Sequence, residues 1–380
     1  MTPLAAEKGK TLSSGFFALL VFVPVMAFAG LVSGREIGRI YALPWALFAA
    51  GTAFGIAYTG RVSFFRRLFF GVSALAFLVH FKFSLFSDTF EASCFTAAPF
   101  CHIAIAPSFL NYLYQQYLAF MSGGWKLWGP LTLGAAWLFI TLAIGRAWCS
   151  WACFYGGIDD ALCARPGKPL LKTARFSAFR DLPAALLVFM LLASLAYMLP
   201  VYCLWLCPFK LSGVFMDGDA AVRRLQYGLM AFALAALVAG PLLTKKRVFC
   251  SYLCPFAAWQ AFWGRLNPFR VTLAADKCAG CLACVSSCPM SAIKCLPGGK
   301  AEILAYCNMC GQCLDACPGG GFAYTVFGHE LPERLSPFGR LFSVKFFFVF
   351  SALTLGAVFS SLWAPAALHD LVKILGGTGL

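Results

Sequence analysis

Charge is scarce in this sequence. Only 12% of its 380 residues are Asp, Glu, Lys or Arg, about half of the ~25% usual for a soluble domain. That shortage argues against a surface wetted on all sides. Histidine is scarce too, with four residues: His80, His102, His329 and His369. Membrane haems take paired axial ligands, so only His80 near the end of one apolar run and His102 in the next loop offer a pair, and a structural role is the default for both. No G-x-G-x-x-G turn follows a strand pattern, and no P-loop is present, which argues against nucleotide cofactors and ATP coupling. The Asp-Lys-Thr-Gly motif of ion-pumping ATPases is also missing. The 18 cysteines fall below the ~8–10% that marks a disulfide scaffold.

Apolar side chains fill the space that charge leaves. They make up 61% of the chain, with 40 Phe and 10 Trp, which suits a lipid-facing surface with aromatic belts. Long apolar runs predict about seven spanning helices, near 15–33, 41–60, 67–86, 127–145, 182–202, 226–244 and 342–364. The first also has features of a secretory signal, with Lys8 and Lys10 before it and Ala27-Phe28-Ala29 at its end. The net charge of +15 sits in short loops, which is topology signalling rather than a nucleic-acid face. Arg61, Arg66 and Arg67, then Arg146, Arg165, Lys168, Lys172, Arg175 and Arg180, then Lys245, Lys246 and Arg247, then Arg334, Arg340 and Lys345 mark alternate loops. Loops 34–40, 87–126 and 203–225 are poorer in charge. The pattern predicts a cytoplasmic N-terminus and a periplasmic C-terminus in a bacterial inner membrane. The stretch PSFLNYLYQQYLAFM in loop 87–126 reads as a short helix, at the interface or packed on the bundle. Asp159, Asp160, Asp217 and Asp219 read as solvated helix-end residues.

The one sizeable polar stretch carries two cysteine runs. Residues 278–289 read CAGCLACVSSCP and residues 307–318 read CNMCGQCLDACP. Both are C-x2-C-x2-C-x3-C-P, the bacterial ferredoxin spacing in which the fourth cysteine of each run serves the other cluster. The expected ligands are Cys278, Cys281, Cys284 and Cys317 for one [4Fe–4S] cluster, and Cys288, Cys307, Cys310 and Cys313 for the other. A pair of zinc sites is the bland alternative. Cys295, between the runs, reads as an idle thiol. The fold expected is an all-α polytopic membrane protein with an inserted 2[4Fe–4S] ferredoxin α+β domain. Its parts are a membrane domain at 1–266, the ferredoxin domain at 267–333, and a last helix with a short outer tail at 334–380.

A second spacing recurs. Cys149 and Cys153, Cys203 and Cys207, and Cys250 and Cys254 are Cys-x-x-x-Cys pairs just past the ends of apolar runs. Residues i and i+4 share one face of a continuing helix, so each pair presents two thiols to one object. By topology Cys149, Cys153, Cys250 and Cys254 form an inner quartet, either a redox centre or structural thiols. Cys94, Cys101, Cys203 and Cys207 form an outer quartet, either disulfides or a second metal centre.

These residues carry a resemblance. The segments GRAWCSWACFYGG (145–157) and KRVFCSYLCPFAAWQAFWGRLNPFRV (246–271), with the two ferredoxin runs, resemble the membrane polyferredoxins typified by NapH and NosR, to which CcoG is related. The resemblance spans about 145–320, roughly half the chain. It implies electron transfer between the quinone pool and a periplasmic iron–sulfur or haem protein, as a quinol dehydrogenase component of a larger membrane complex, with quinone as diffusible substrate. Phe154 stands where the pattern has proline, and the cysteines at 94, 101, 203 and 207 lie outside it. No flavin-bearing or folded C-terminal domain is recognisable. Trp148, Trp151, Trp259 and Phe262 are candidates to line a quinone pocket or an interfacial belt. The competing functions are a membrane copper reductase or assembly factor, and a transmembrane thiol–disulfide relay.

Overall fold

The computed structural model describes residues 3–32, 34–86, 102–171, 179–209, 219–295, 301–329 and 343–376. The chain divides into two compact units. Met1–Phe83, Leu142–Ala161 and Leu266–Leu380 form the first, and Ser84–Thr141 with Leu162–Arg265 the second.

Helices α1 (Pro3–Val32), α2 (Gly34–Thr59) and α3 (Val62–Phe86) open the chain. Then come α4 (His102–Ile105), α5 (Phe109–Met121), α6 (Trp128–Ala143), α7 (Trp148–Trp151) and α8 (Phe154–Cys163). Helices α9 (Leu182–Tyr197), α10 (Val201–Trp205), α11 (Ala220–Thr244), α12 (Val248–Tyr252) and α13 (Pro255–Trp263) follow. The polar stretch holds β1 (Phe269–Leu273), α14 (Ala283–Ser287), β2 (Ile293–Cys295), β3 (Ala301–Ile303), α15 (Gln312–Ala316) and β4 (Phe322–Val326). Helices α16 (Val344–Ser360) and α17 (Ala364–Leu375) close it.

Among the described residues four stretches are long and apolar enough to cross a membrane: Gly9–Val32, Ile40–Thr59, Val62–Phe81 and Ala220–Thr244. Two more qualify only as bent pairs. Trp128–Ala143 turns by 94° into Gly145–Trp151, and α16 turns by 47° into α17. The first bend has a local cause. Gly145 sits at φ 48, and a Cβ there would lie 2.7 Å from the Cβ of Asn267, whose Nδ2 donates to the Leu142 carbonyl at 2.9 Å. The run expected at 182–202 breaks earlier. Met198 takes φ 54 at the C-cap of α9 and Pro200 follows, leaving 16 residues, about 24 Å of helix against an apolar core of ~30 Å. Residues 364–375, read from sequence as a tail, are helical.

In the first unit α3 is the spine. Arg66, expected in a loop, lies inside α3 and is fully buried. Asp160, expected in solvent, accepts from Arg66 at 2.9 Å and is 1% exposed. Gly157 of α8 lets the backbones close up, since a Cβ there would meet the Phe70 carbonyl at 2.8 Å. One turn of α8 earlier, Phe154 stacks on Phe77 of α3 with centroids 3.6 Å apart. On α2, Ala42, Ala46, Ala49 and Ala53 are wholly buried at helical spacing. Such a stripe of small residues permits close helix approach where lipid removes the hydrophobic drive, and α2 packs against α1, α16 and α17. In the second unit α9 packs on α5, α12 and α13, and α11 on α10 and α12. Asp219 caps α11 by accepting from the Ala221 N–H at 2.7 Å.

The polar stretch lies within the first unit. Strand β1 pairs antiparallel with β4, with Phe269 opposite Val326 and Leu273 opposite Phe322, and β2 pairs antiparallel with β3.

Candidate iron–sulfur site

The two cysteine runs fold as near-copies. In the first, Gly280 (φ 66) and Leu282 (φ 57) are left-handed; at the same places in the second, Met309 (φ 53) and Gly311 (φ 81) are too. These residues coil each run so that its first three cysteines turn inward. The fourth cysteine of each run precedes proline, which holds it extended: Cys288 at φ −68, ψ 113 and Cys317 at φ −83, ψ 112. Each carries its sulfur toward a backbone N–H, Ala292 to Cys288 Sγ at 3.3 Å and Gly321 to Cys317 Sγ at 3.4 Å. Such donors stabilise a thiolate.

The runs interlock. Cys278, Cys281, Cys284 and Cys317 line one cavity, and Cys288, Cys307, Cys310 and Cys313 line another. The first lies at the surface, with Cys281 exposed and Cys278 and Cys317 partly so. The second is enclosed, with Cys288, Cys310 and Cys313 buried. Burial pushes the Cys307 thiol up to about 12; the Met309 N–H opposes it, the neighbouring Cys310 and Cys288 add to it, and Arg146 opposes it least. Burial drives Cys313 up further, with Cys307, Cys310 and Cys288 adding to it. Thiols crowded this way hold protons unless a cation replaces them, the signature of a ligand set.

Polar groups at the second cavity point the same way. Asn308 Nδ2 and Gln312 Oε1 are buried with no hydrogen-bond partner among the described residues, and both residues line the cavity. Buried polar atoms of this kind call for an occupant. The donor set, the N–H···S bonds and these orphans fit a [4Fe–4S] cluster. Among the described residues no three His, Cys, Asp or Glu groups converge on one ion.

The second cavity is bolted to the helices. Ser150 Oγ donates to the Asn308 carbonyl at 2.6 Å, and Arg66 donates to the Ser150 carbonyl at 2.8 Å. Arg146 donates to the Ala305 carbonyl. Asp315 accepts from the N–H and hydroxyl of Ser63, at 2.9 and 2.6 Å, so it caps α3 from within the second run. Tyr324 donates to the Met309 carbonyl at 3.1 Å while its ring stacks on Phe348 of α16. Burial, then Cys310 and Cys313, raise the Tyr324 phenol, so it remains a donor. Sequence reasoning passed over Ser150, Asn308, Asp315 and Tyr324. Only the position of Ser150 and Asn308 beside cysteines hinted at them.

The Cys-x-x-x-Cys pairs share one backbone design. The Trp148 carbonyl accepts from the N–H groups of both Ala152 and Cys153, that of Tyr202 from Leu206 and Cys207, and that of Phe249 from Leu253 and Cys254, all at 3.0 Å. An aromatic residue precedes the first cysteine in every case and another follows two places after it: Trp148 and Trp151, Tyr202 and Trp205, Phe249 and Tyr252. That frame was legible and unread. The expectation of a continuing helix is corrected here. Each short helix stops at Trp151, Trp205 or Tyr252, before the second cysteine. Pro208 and Pro255 disfavour helix at Cys207 and Cys254, and Phe154, in the proline's place, starts α8 just as Pro255 starts α13.

Cys149 and Cys153 lie in the first unit, and Cys203, Cys207, Cys250 and Cys254 in the second. Cys94 and Cys101 lie outside the described residues. Trp148 and Trp151 are buried, against Phe359 and Phe348, so they are packing residues rather than a belt. Trp259 packs with Trp137 and Trp263 in the second unit, and Phe262 is exposed. His80 Nδ1 meets Asp370 at 3.2 Å, while His102 packs on Phe256.

Comparison with known proteins separates the two kinds of motif. Residues 270–318 match a family described as a 4Fe-4S dicluster domain. Residues 127–169, 182–219 and 227–272 each match a 4Fe-4S binding domain, with one Cys-x-x-x-Cys pair in every match. The recurrence is therefore of whole helix-and-turn segments, where the sequence had shown only a repeated spacing. The electron transport protein YccM of Escherichia coli is 24% identical over 50% of this chain and 53% of its own length. The methylamine utilization ferredoxin-type proteins MauN of Methylobacillus flagellatus and Paracoccus denitrificans are 29% and 28% identical, over 40% and 44% of this chain and 50% and 56% of theirs. The chain thus spans about half the length of these relatives. No solved structure matches it. The chain thus joins a stretch similar to a 4Fe–4S dicluster domain and three segments similar to a 4Fe–4S binding domain with helices apolar enough to cross a membrane.

Proposed function

We propose that this chain is an electron-transfer subunit of a bacterial inner membrane, passing electrons between the quinone pool and a periplasmic redox partner, as in the NapH and NosR group. The observation that carries the reading is the Ser150–Asn308 hydrogen bond. It joins the residue after Cys149 to the residue after Cys307, so a Cys-x-x-x-Cys turn and the enclosed ferredoxin cavity are neighbours in one rigid contact.

The protein's own groups then have defined tasks. Cys278, Cys281, Cys284 and Cys317 hold one cluster, and Cys288, Cys307, Cys310 and Cys313 hold the second. Bound there, a [4Fe–4S] cluster supplies one-electron oxidation and reduction. Met309, Cys310 and Cys313, all buried, exclude water from the second site. Arg146 balances thiolate charge at Cys307. The three Cys-x-x-x-Cys pairs supply further ligands, and α9 completes a seventh crossing that places the N-terminus and the C-terminus on opposite sides.

The test is iron and acid-labile sulfide per chain on anaerobically purified protein, with EPR during reduction by a short-chain quinol. Two ferredoxin clusters account for about eight irons. We expect an excess over that value, lost on Cys250→Ala, and cluster signals that grow on quinol addition. A value near eight limits the centres to the ferredoxin stretch. Clusters that dithionite reduces and quinol does not would remove the quinone link.

A further inference from the structure

A cavity of about 240 Å³ lies beside the enclosed cysteine set. Its walls include Arg146, Arg270, Phe269, Leu304, Met309 and Cys307, all within the first unit. Two arginines therefore line one space that Cys307 of the second cysteine set also lines. Arg270 donates to the Phe269 carbonyl at 2.7 Å and to that of Asn267, and Arg146 donates to the Ala305 carbonyl, so backbone fixes both side chains in place. A guanidinium carries five N–H donors, so this anchoring is compatible with ligand contact. The other walls are apolar, and Phe269 packs on Phe347 and Phe348 at the start of α16. Phe347 is exposed, so the cavity lies where the apolar helix layer begins.

We propose that this cavity binds the headgroup of a quinone, with Arg146 and Arg270 donating to its carbonyl oxygens and Phe269, Leu304 and Met309 flanking the ring. Three observations converge on that class of ligand. Two fixed cationic donors suit a flat molecule with oxygens on opposite edges and favour the anionic character it gains on reduction. Apolar walls suit the ring. The contact of the cavity's Phe269 wall with Phe347 and Phe348 of α16 suits an isoprenoid tail that remains among apolar helices. The volume is slightly below the ~300–1,000 Å³ of drug-sized pockets, as expected when only a headgroup enters. Burial also depresses the Arg270 pKa, a cost that an electron-rich ligand would offset.

The inference rests on the quinone-linked reading above, and the experiment separates the two. Anaerobically purified full-length protein is irradiated with a short-chain azidoquinone and the labelled peptides are mapped, for wild type, Arg270→Gln, Arg146→Gln and Leu304→Trp. Iron content is measured in each. We expect label in 269–271 or 303–309, reduced about tenfold or more by Arg270→Gln and by the cavity-filling Leu304→Trp, with iron unchanged in both; Arg146→Gln should reduce label as well, and its iron content is read separately because Arg146 also faces the Cys307 thiolate. Specific label elsewhere, unaffected by these changes, overturns this site and leaves the function standing. No specific label on iron-replete protein overturns both. Displacement by inorganic phosphate as effectively as by unlabelled quinone would make the cavity an anion site and overturn the proposal.

Discussion

Ser150 shows how much a single hydroxyl can hold. Its Oγ reaches the Asn308 carbonyl while its own carbonyl accepts from Arg66. Ser150→Ala leaves the buried Asn308 carbonyl without that donor, and we expect a loss of about 1–3 kcal/mol, read as a lower denaturant midpoint in detergent with both ferredoxin clusters retained. Arg66 and Asp160 make a harsher case. Both are almost wholly buried, so Asp160→Asn strands a cation and costs about 3–5 kcal/mol. The double change Arg66→Leu with Asp160→Leu should cost less than the single one. In cluster-free protein the raised Cys307 thiol favours folding below its ordinary value of 9.0, and that contribution is lost as pH rises toward about 12. Denaturation of stripped protein should therefore become easier from pH 8 to pH 10.5. The cysteines of the two runs were legible because their spacing is itself the chemistry. The ion pair was not, because 94 residues separate its partners and a basic residue at a helix start looks the same whether lipid, water or a carboxylate receives it.

At the scale of elements, apolar runs revealed where helices exist but not where they stop. Stops depend on residues that sequence alone leaves neutral: Gly145 against Asn267, Met198 in a left-handed cap, and Pro200 beyond it. The Cys-x-x-x-Cys turns were found by spacing, and their shape was misjudged because i and i+4 imply one helical face only if the helix continues. Helix α16 seats directly on the first of these turns. A Cβ at Gly356 would lie 2.3 Å from the Trp151 carbonyl, a clash that neither backbone can relieve cheaply. Gly356→Ala should cost about 1–3 kcal/mol and disturb the Cys149–Cys153 turn, whereas Gly134→Ala in α6, where a Cβ meets nothing within 4 Å, should leave stability unchanged or slightly raised.

At the scale of the whole chain, topology turns on α9. If it crosses the membrane, the crossings number seven and the termini face opposite sides; with the six allowed by length and composition they face the same side. An alkaline phosphatase fusion at the C-terminus should be active on the seven-crossing reading, with a fusion after Gly60 inactive. Two active or two inactive fusions would return α9 to a buried or interfacial role.

The unequal exposure of the two cysteine cavities has a consequence for survival in air. Oxidants arriving from water meet the first set at its open rim, around Cys281, before they reach the second set, in which Cys288, Cys310 and Cys313 are buried and only Cys307 is partly exposed. Damage on aeration should be ordered rather than random. The visible absorbance should bleach in two phases, fast then slow, and a half-bleached sample should retain the EPR signal of the enclosed centre. The fold would then act as a fuse, sacrificing its replaceable outer contact while the connection to the helices stays intact.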